Sequence, residues 1–190
     1  MVIVEYNKDW IKDFNQIKKI LIKKLTKIVK IEHVGSTAII GIYSKPIIDI
    51  DIVINNKNDF DIIKKELESI GYFHNGDQGI TGREAFNRNS VIRNEILDKI
   101  KHHLYVCDKD NEELNRHILF RDYLNKYDEV KNEYNKIKME IIEKYGNEDR
   151  EKYVFIKETK YKWFFEKVLE EAELEKMNNK NNDGVRCNFA

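Results

Sequence analysis

Cysteine is nearly missing: Cys107 and Cys187 are the two in 190 residues. They lie far apart, and Cys187 falls in a tail-like segment. That argues against a structural disulfide, and no zinc-type spacing exists. An excess of charge is missing too. Lys and Arg number 34, Asp and Glu number 34, and the formal net charge is zero. No global field draws the chain to nucleic acid or to an anionic membrane, so broad nucleic-acid binding is not expected. No apolar run approaches the length that spans a bilayer. The opening residues, Met1-Val2-Ile3-Val4-Glu5-Tyr6, lack the basic, apolar and small-residue segments of a signal peptide. The expected compartment is the cytoplasm. No internal repeat is found.

What is present is a globular composition, 41% hydrophobic and 36% charged. The length fits one domain with a helical extension, or a domain with a small second one. Apolar residues Trp10, Phe14, Ile17, Leu21, Leu25 and Ile28 recur at threes and fours, which predicts a helix from Trp10 to about Val29 with Asp9 as its cap. Strands are predicted at Lys30–Val34, at Pro46–Ile54, weakly at Glu84–Arg88, and at His103–Cys107. A helix capped by Asn58 or Asp59 separates the second from the rest, and Gly71 ends it. The tract Asn89–Lys101 is ambiguous. From Asn111 helical periodicity dominates, with breaks near Tyr127-Asp128 and Gly146-Asn147, giving about three helices. The expected division is a core over residues 1–110, helices packed on it over 111–177, and a disordered tail over 178–190. The class is α+β: a mixed β-sheet with flanking helices and a helical C-terminal part.

Two motifs carry chemistry. The first is the strand end His33-Val34-Gly35-Ser36-Thr37-Ala38. Glycine lets the backbone turn sharply and approach a ligand, and the hydroxyls and amides that follow suit phosphate oxygens. The second is Asp49-Ile50-Asp51 inside the strongest strand. Side chains alternate on a strand, so Ile48, Ile50, Ile52 and Ile54 share one face and the two aspartates share the other. Two carboxylates about 5–6 Å apart repel by roughly 3 kcal/mol at an effective dielectric of 20. Such a pair calls for a solvated strand face, for pairing with Lys or Arg, or for a metal ion. Mg²⁺ or Mn²⁺ takes this oxygen ligation and phosphate oxygens as well.

The run Ile31-Glu32-His33-Val34-Gly35-Ser36-Thr37-Ala38, then Gly41, then Lys45-Pro46-Ile47-Ile48-Asp49-Ile50, resembles the GrpB family. Gly71-Tyr72, His103-Leu104-Tyr105, Phe120-Arg121-Asp122-Tyr123-Leu124, Tyr134 with Lys138, and Tyr153 with Lys157 or Lys160 extend the resemblance in order, from about Val4 to Ala172. The resemblance implies a nucleotidyltransferase-like fold of the polymerase-beta type. In that superfamily the glycine-serine turn holds a nucleoside triphosphate, and the aspartate pair binds the metals that activate transfer. The chain departs from the superfamily by lacking a third carboxylate on the strand His103–Cys107. Tyr105 stands where the family has a second histidine.

The expected site is therefore Asp49, Asp51 and His103 as catalytic residues, with Asp49 and Asp51 also the metal ligands and His103 a ligand or general base. Gly35, Ser36, Thr37, Lys45, Arg83, Arg121, Tyr134 and Lys138 are expected to hold the nucleotide. Glu84 is a substitute acid if its register allows. His33 is expected to buttress the turn, and His102 and His117 carry no argument. The expected reaction is metal-dependent nucleotidyl transfer from a nucleoside triphosphate, or from another phosphorylated small molecule, by a monomer or homodimer. The alternative is a catalytically inactive nucleotide- or anion-binding module, or an interaction module.

Overall fold

The computed structural model describes residues 3–89 and 91–186. The chain divides into two compact units, residues 3–117 and the residues from Ile118 onward.

The first unit opens with α1 (Asp9–Lys24), which buries Trp10, Phe14, Ile17 and Leu21 as its period requires. The side chain of Asn7, rather than Asp9, accepts the hydrogen bond from the Asp9 amide at its start. The helix stops well before Val29. Leu25 turns extended, at φ −90° and ψ 132°, and is itself buried. The Thr26 amide and hydroxyl then donate to the Glu66 carboxylate at 3.0 and 2.6 Å. That local capture of the backbone competes with another helical turn.

Five strands follow: β1 (Lys30–Val34), β2 (Ile48–Ile54), β3 (Tyr72–His74), β4 (Arg83–Arg88) and β5 (His102–Asp108). Between them lie α2 (Phe60–Glu68) and the short α3 (Glu95–Lys99), which resolves the ambiguous tract. Asn94 accepts from the Leu97 amide at the start of α3. The sheet order is β1-β2-β5-β4-β3. β2 and β5 pair in parallel and all other neighbours are antiparallel, so the sheet is mixed as expected.

β2 sits inside this sheet. Its isoleucines Ile48, Ile50, Ile52 and Ile54 are buried in one core with Phe14, Ile17 and Leu21 of α1, Ile63 and Leu67 of α2, and Leu104 and Val106 of β5. Each such side chain contributes about 1.5–3 kcal/mol by leaving water. At the edge of this core His102 is held between two partners. Its Nδ1 donates to the Ile100 carbonyl at 2.6 Å, which leaves Nε2 to accept from the Tyr72 hydroxyl at 2.6 Å. Burial pushes the His102 pKa below its usual value, outweighing the Ile100 hydrogen bond that favours the charged ring.

The described residues from 118 to 186 are mostly helical, and α4 (Glu112–Lys126) runs through the division. The expected boundary near 110 moves to 117 because the first turns of α4 serve the sheet unit: His117 hydrogen-bonds to Asp51. α5 (Asp128–Tyr145), α6 (Arg150–Lys160) and α7 (Lys162–Arg186) follow. The breaks at Tyr127 and Gly146 stand where expected. A further break at Tyr161, which carries no glycine or proline signal, makes four helices rather than three. The helical unit has its own aromatic core. Tyr134 stacks on Phe164 with centroids 5.4 Å apart, and Phe120 stacks on Phe165 at 5.3 Å. α7 continues to Arg186 rather than loosening at 178. Extending an existing helix fixes one residue per hydrogen bond, far less costly than starting one. The last four residues, Cys187 among them, lie outside the described residues.

Ile50→Ala is expected to cost about 2–5 kcal/mol in urea unfolding; a loss under about 1 kcal/mol would show that the core is not organised on β2. His102 is a base whose folded pKa is depressed, so protonation favours the unfolded chain. Its contribution is present above the unfolded value near 6.5 and is lost as pH falls below it. The thermal midpoint of the native protein should therefore fall between pH 7.5 and pH 5 more steeply than that of His102→Gln; parallel curves would contradict this.

Candidate functional site

Strand register decides which side chains meet. Val34 lies opposite Asp49 and Glu32 opposite Asp51 on the β1 side. On the β5 side Asp49 pairs with His103, Asp51 with Tyr105, and Val53 with Cys107. Arg83 pairs in turn with Cys107. Directly paired residues share a face, so Asp49, Asp51, Glu32, His103, Tyr105 and Arg83 all project opposite to the isoleucines.

β1 ends in Gly35, with φ 70° and ψ −172°, a region that only glycine enters without strain. A short 3₁₀ turn over Ser36–Ala38 follows. A Cβ on Gly35 would lie 2.3 Å from Asp49 Oδ2. The missing side chain is thus the space that the carboxylate occupies, and turn and acid form one site. Thr37 is fully buried. Its hydroxyl donates to the Ile47 carbonyl at 3.3 Å and lies 3.0 Å from His33 Nε2. Its side chain is therefore built into the turn, and this corrects its expected place on the ligand. His33 stacks on Phe14 at 4.7 Å and buttresses the turn from the core side. Ser36 and Lys45 are half-buried at the same end of β2.

Each aspartate is held by a histidine. His103 Nδ1 donates to Asp49 Oδ1 at 2.8 Å. His117 Nδ1 donates to Asp51 Oδ2 at 2.9 Å, and its Nε2 lies 3.4 Å from Glu113 Oε1. Burial opposes a charge on His117, but the hydrogen bonds and charges of Asp51 and Glu113 outweigh it and push its pKa up to about 9. Both ring nitrogens then carry protons for the two acids. The His117 hydrogen bond in turn holds Glu113 below its ordinary value. Asp51 is fully buried, and its Oδ1 has no hydrogen-bond partner among the described residues. Leaving such an atom unsatisfied costs about 1–3 kcal/mol or more.

His117 and Glu32 are the residues that sequence reasoning missed. His117 sits on a helix that starts after β5, and nothing in its neighbourhood points back to β2. Glu32 is the acid on a neighbouring strand, but on β1 rather than β5; it pairs with Lys30 and is buried. Counting by twos from Val34 would have found it. Glu84 does not substitute. It lies opposite Val106, on the isoleucine face, and its carboxylate meets His74 Nε2 at 2.6 Å. Arg83 opens β4, and its guanidinium lies 4.3 Å over the Tyr105 ring. Arg121, Tyr134 and Lys138 belong to the helical unit. There Arg121 Nε donates to Asp122 at 2.7 Å, and buried Lys138 lies 4.4 Å over the Tyr134 ring. Tyr134 lies in that unit's aromatic core, against Phe120 and Phe164.

A divalent cation fits the acid face in part. Asp49 and Asp51 offer hard oxygens on one strand face, and the orphaned Asp51 Oδ1 is an oxygen with a ligand to gain. Among the described residues, no group of three His, Cys, Asp or Glu side chains converges to hold a metal ion. The protein would contribute a pair, with phosphate oxygens and water supplying the rest.

The GrpB protein family model matches residues 1–170. The chain belongs to the GrpB family. It is 36% identical over 151 residues to the glutamate-rich protein GrpB of Alkalihalophilus pseudofirmus, across 78% of this chain and 85% of that one. It is 32% identical to the UPF0157 protein YqkA of Bacillus subtilis over 73% of this chain, and spans 39% of that longer protein. The crystal structure of the conserved protein GrpB from Enterococcus faecalis superposes with a TM-score of 0.73 at 27% identity, covering 90% of this chain and 98% of that one. Among the described residues of this GrpB-family chain, no helix is long and apolar enough to cross a membrane.

Gly35→Ala should test the close approach of turn and acid. The added methyl meets Asp49 and the backbone is strained, so a loss of about 1–3 kcal/mol is expected in chemical unfolding. A neutral result would mean that Asp49 does not pack against the turn.

Proposed function

We propose that this GrpB-family chain transfers a nucleotidyl group from a nucleoside triphosphate to an acceptor that bears a hydroxyl or phosphate. The observation that carries the reading is the Asp49 carboxylate lying in the space where Gly35 has no side chain. The phosphate-type turn and the acid pair are thereby one site. Gly35, Ser36 and Lys45 bind the triphosphate. Asp49 and Asp51 would hold Mg²⁺ or Mn²⁺, which supplies charge stabilisation for the phosphoryl oxygens. His103 Nδ1 donates to Asp49, which fixes the ring and leaves Nε2 as the acceptor for a proton. The acceptor oxygen gives its proton to Nε2 and bonds to the α-phosphorus; the bond to the β-phosphate bridge breaks and pyrophosphate leaves.

A second reading is a binding module without turnover. The pairing of both aspartates with imidazoles favours it, since each carboxylate already has a cationic or hydrogen-bonding partner.

Thermal unfolding with each nucleoside triphosphate, with and without Mg²⁺ or Mn²⁺, tests the site. Ligand at 100 times its Kd stabilises the folded state by about 2.7 kcal/mol. A metal-dependent rise of the midpoint is expected, lost in Asp49→Asn/Asp51→Asn. Pyrophosphate release on adding acceptor mixtures separates transfer from binding alone. No shift with any nucleotide would remove the proposed site.

A further inference from the structure

The two oxygens of Asp51 have different surroundings. Oδ2 accepts from His117 Nδ1 at 2.9 Å, whereas Oδ1 is buried without a hydrogen-bond partner among the described residues. His117 is held from its other side, with Nε2 3.4 Å from Glu113 Oε1, one turn earlier on the same helix. Glu113 also lines a cleft of about 660 Å³ together with Lys57, Thr81, Asp108 and Arg116. A carboxylate on a strand turns about its own side-chain bonds. A donor fixed to one oxygen stops that rotation and settles where the other oxygen points.

We propose that His117 is the positioning residue of the site: it fixes Asp51 by its Oδ2 so that Oδ1 is presented to a divalent cation, and Glu113 holds the imidazole plane. This deepens the metal-dependent reading above and rests on it. Asp49 needs no such helper, since the Gly35 turn and His103 already confine it. Partners behind a metal ligand act by orienting it, and losing one typically weakens metal binding about 10–100-fold. A histidine that merely neutralised a buried acid would change stability and leave no dependence of metal affinity on a hydrogen-bond donor.

The test compares His117→Asn with His117→Ala for binding of Mn²⁺ alone, followed by electron paramagnetic resonance without nucleotide. The two variants carry the same charge. Asn places an amide N–H near the former Nδ1, and Ala places none. The Asn variant is expected to bind Mn²⁺ about 10–100-fold more tightly than the Ala variant. Equal affinities would overturn the proposal. Circular dichroism checks that each variant is folded. If His117→Ala is not, Glu113→Ala serves in its place: about tenfold weaker binding than the native protein supports the proposal, and unchanged binding overturns it. Native protein that binds no Mn²⁺ would overturn both this inference and the metal-dependent reading. Mn²⁺ binding without nucleotidyl transfer would leave this inference standing and remove only the reaction.

Discussion

β2 is buried on its isoleucine face, and that one constraint places everything else. Ile48, Ile50, Ile52 and Ile54 enter the core against α1 and α2, so the residues between them must project the other way. A slip of one residue would carry Asp49 and Asp51 into that core and the isoleucines out of it. The free-energy difference is large, because several isoleucines at about 1.5–3 kcal/mol each stand against the cost of burying carboxylates. The register with β1 and β5 is fixed by the same argument, and with it the pairing of Asp49 with His103 and of Glu32 with Asp51.

Once the acids share a face, their repulsion has to be answered. The sequence suggested a metal ion for that role. The fold offers imidazoles as well: His103 from the paired strand and His117 from the helix beyond it. The two pairs are not equivalent. The Asp49 and His103 side chains are 31% and 35% exposed, whereas the Asp51 side chain is fully enclosed. A proton or a phosphate has access at the first pair. The second is suited to holding one geometry.

Short-range pattern made most of this legible. The alternation of Ile and Asp named both faces of β2, and the glycine before Ser36 named the turn. The mixed sheet followed from the order of strands and helices. The unread parts were those where a residue acts at a distance in sequence. His117 lies 66 positions from Asp51, and no period links them. Tyr134 lies four residues before Lys138 on one helix face, and its stacking on Phe164, thirty positions further on, has no sequence period to announce it. The helix break at Tyr161 was invisible because no glycine or proline marks it. Buried Tyr161, at φ −108° and ψ 17°, stands at the break.

The same distance in sequence bears on what the family's motif means. The glycine-serine turn and the aspartates lie within 16 residues of one another, on the paired strands β1 and β2 and the turn between them. The donor to Asp51 arrives from α4, beyond every strand of the sheet. Its alignment depends on how the chain leaves β5, through Asp110 and Asn111 to the start of that helix. Asn111 is tied there: its side chain donates to the Thr81 carbonyl at 3.1 Å and accepts from the Leu114 amide at 3.0 Å. The loop before β4 and the first turn of α4 are thereby joined through one amide side chain. The cleft they line includes Glu113, whose Oε1 lies 3.4 Å from His117 Nε2.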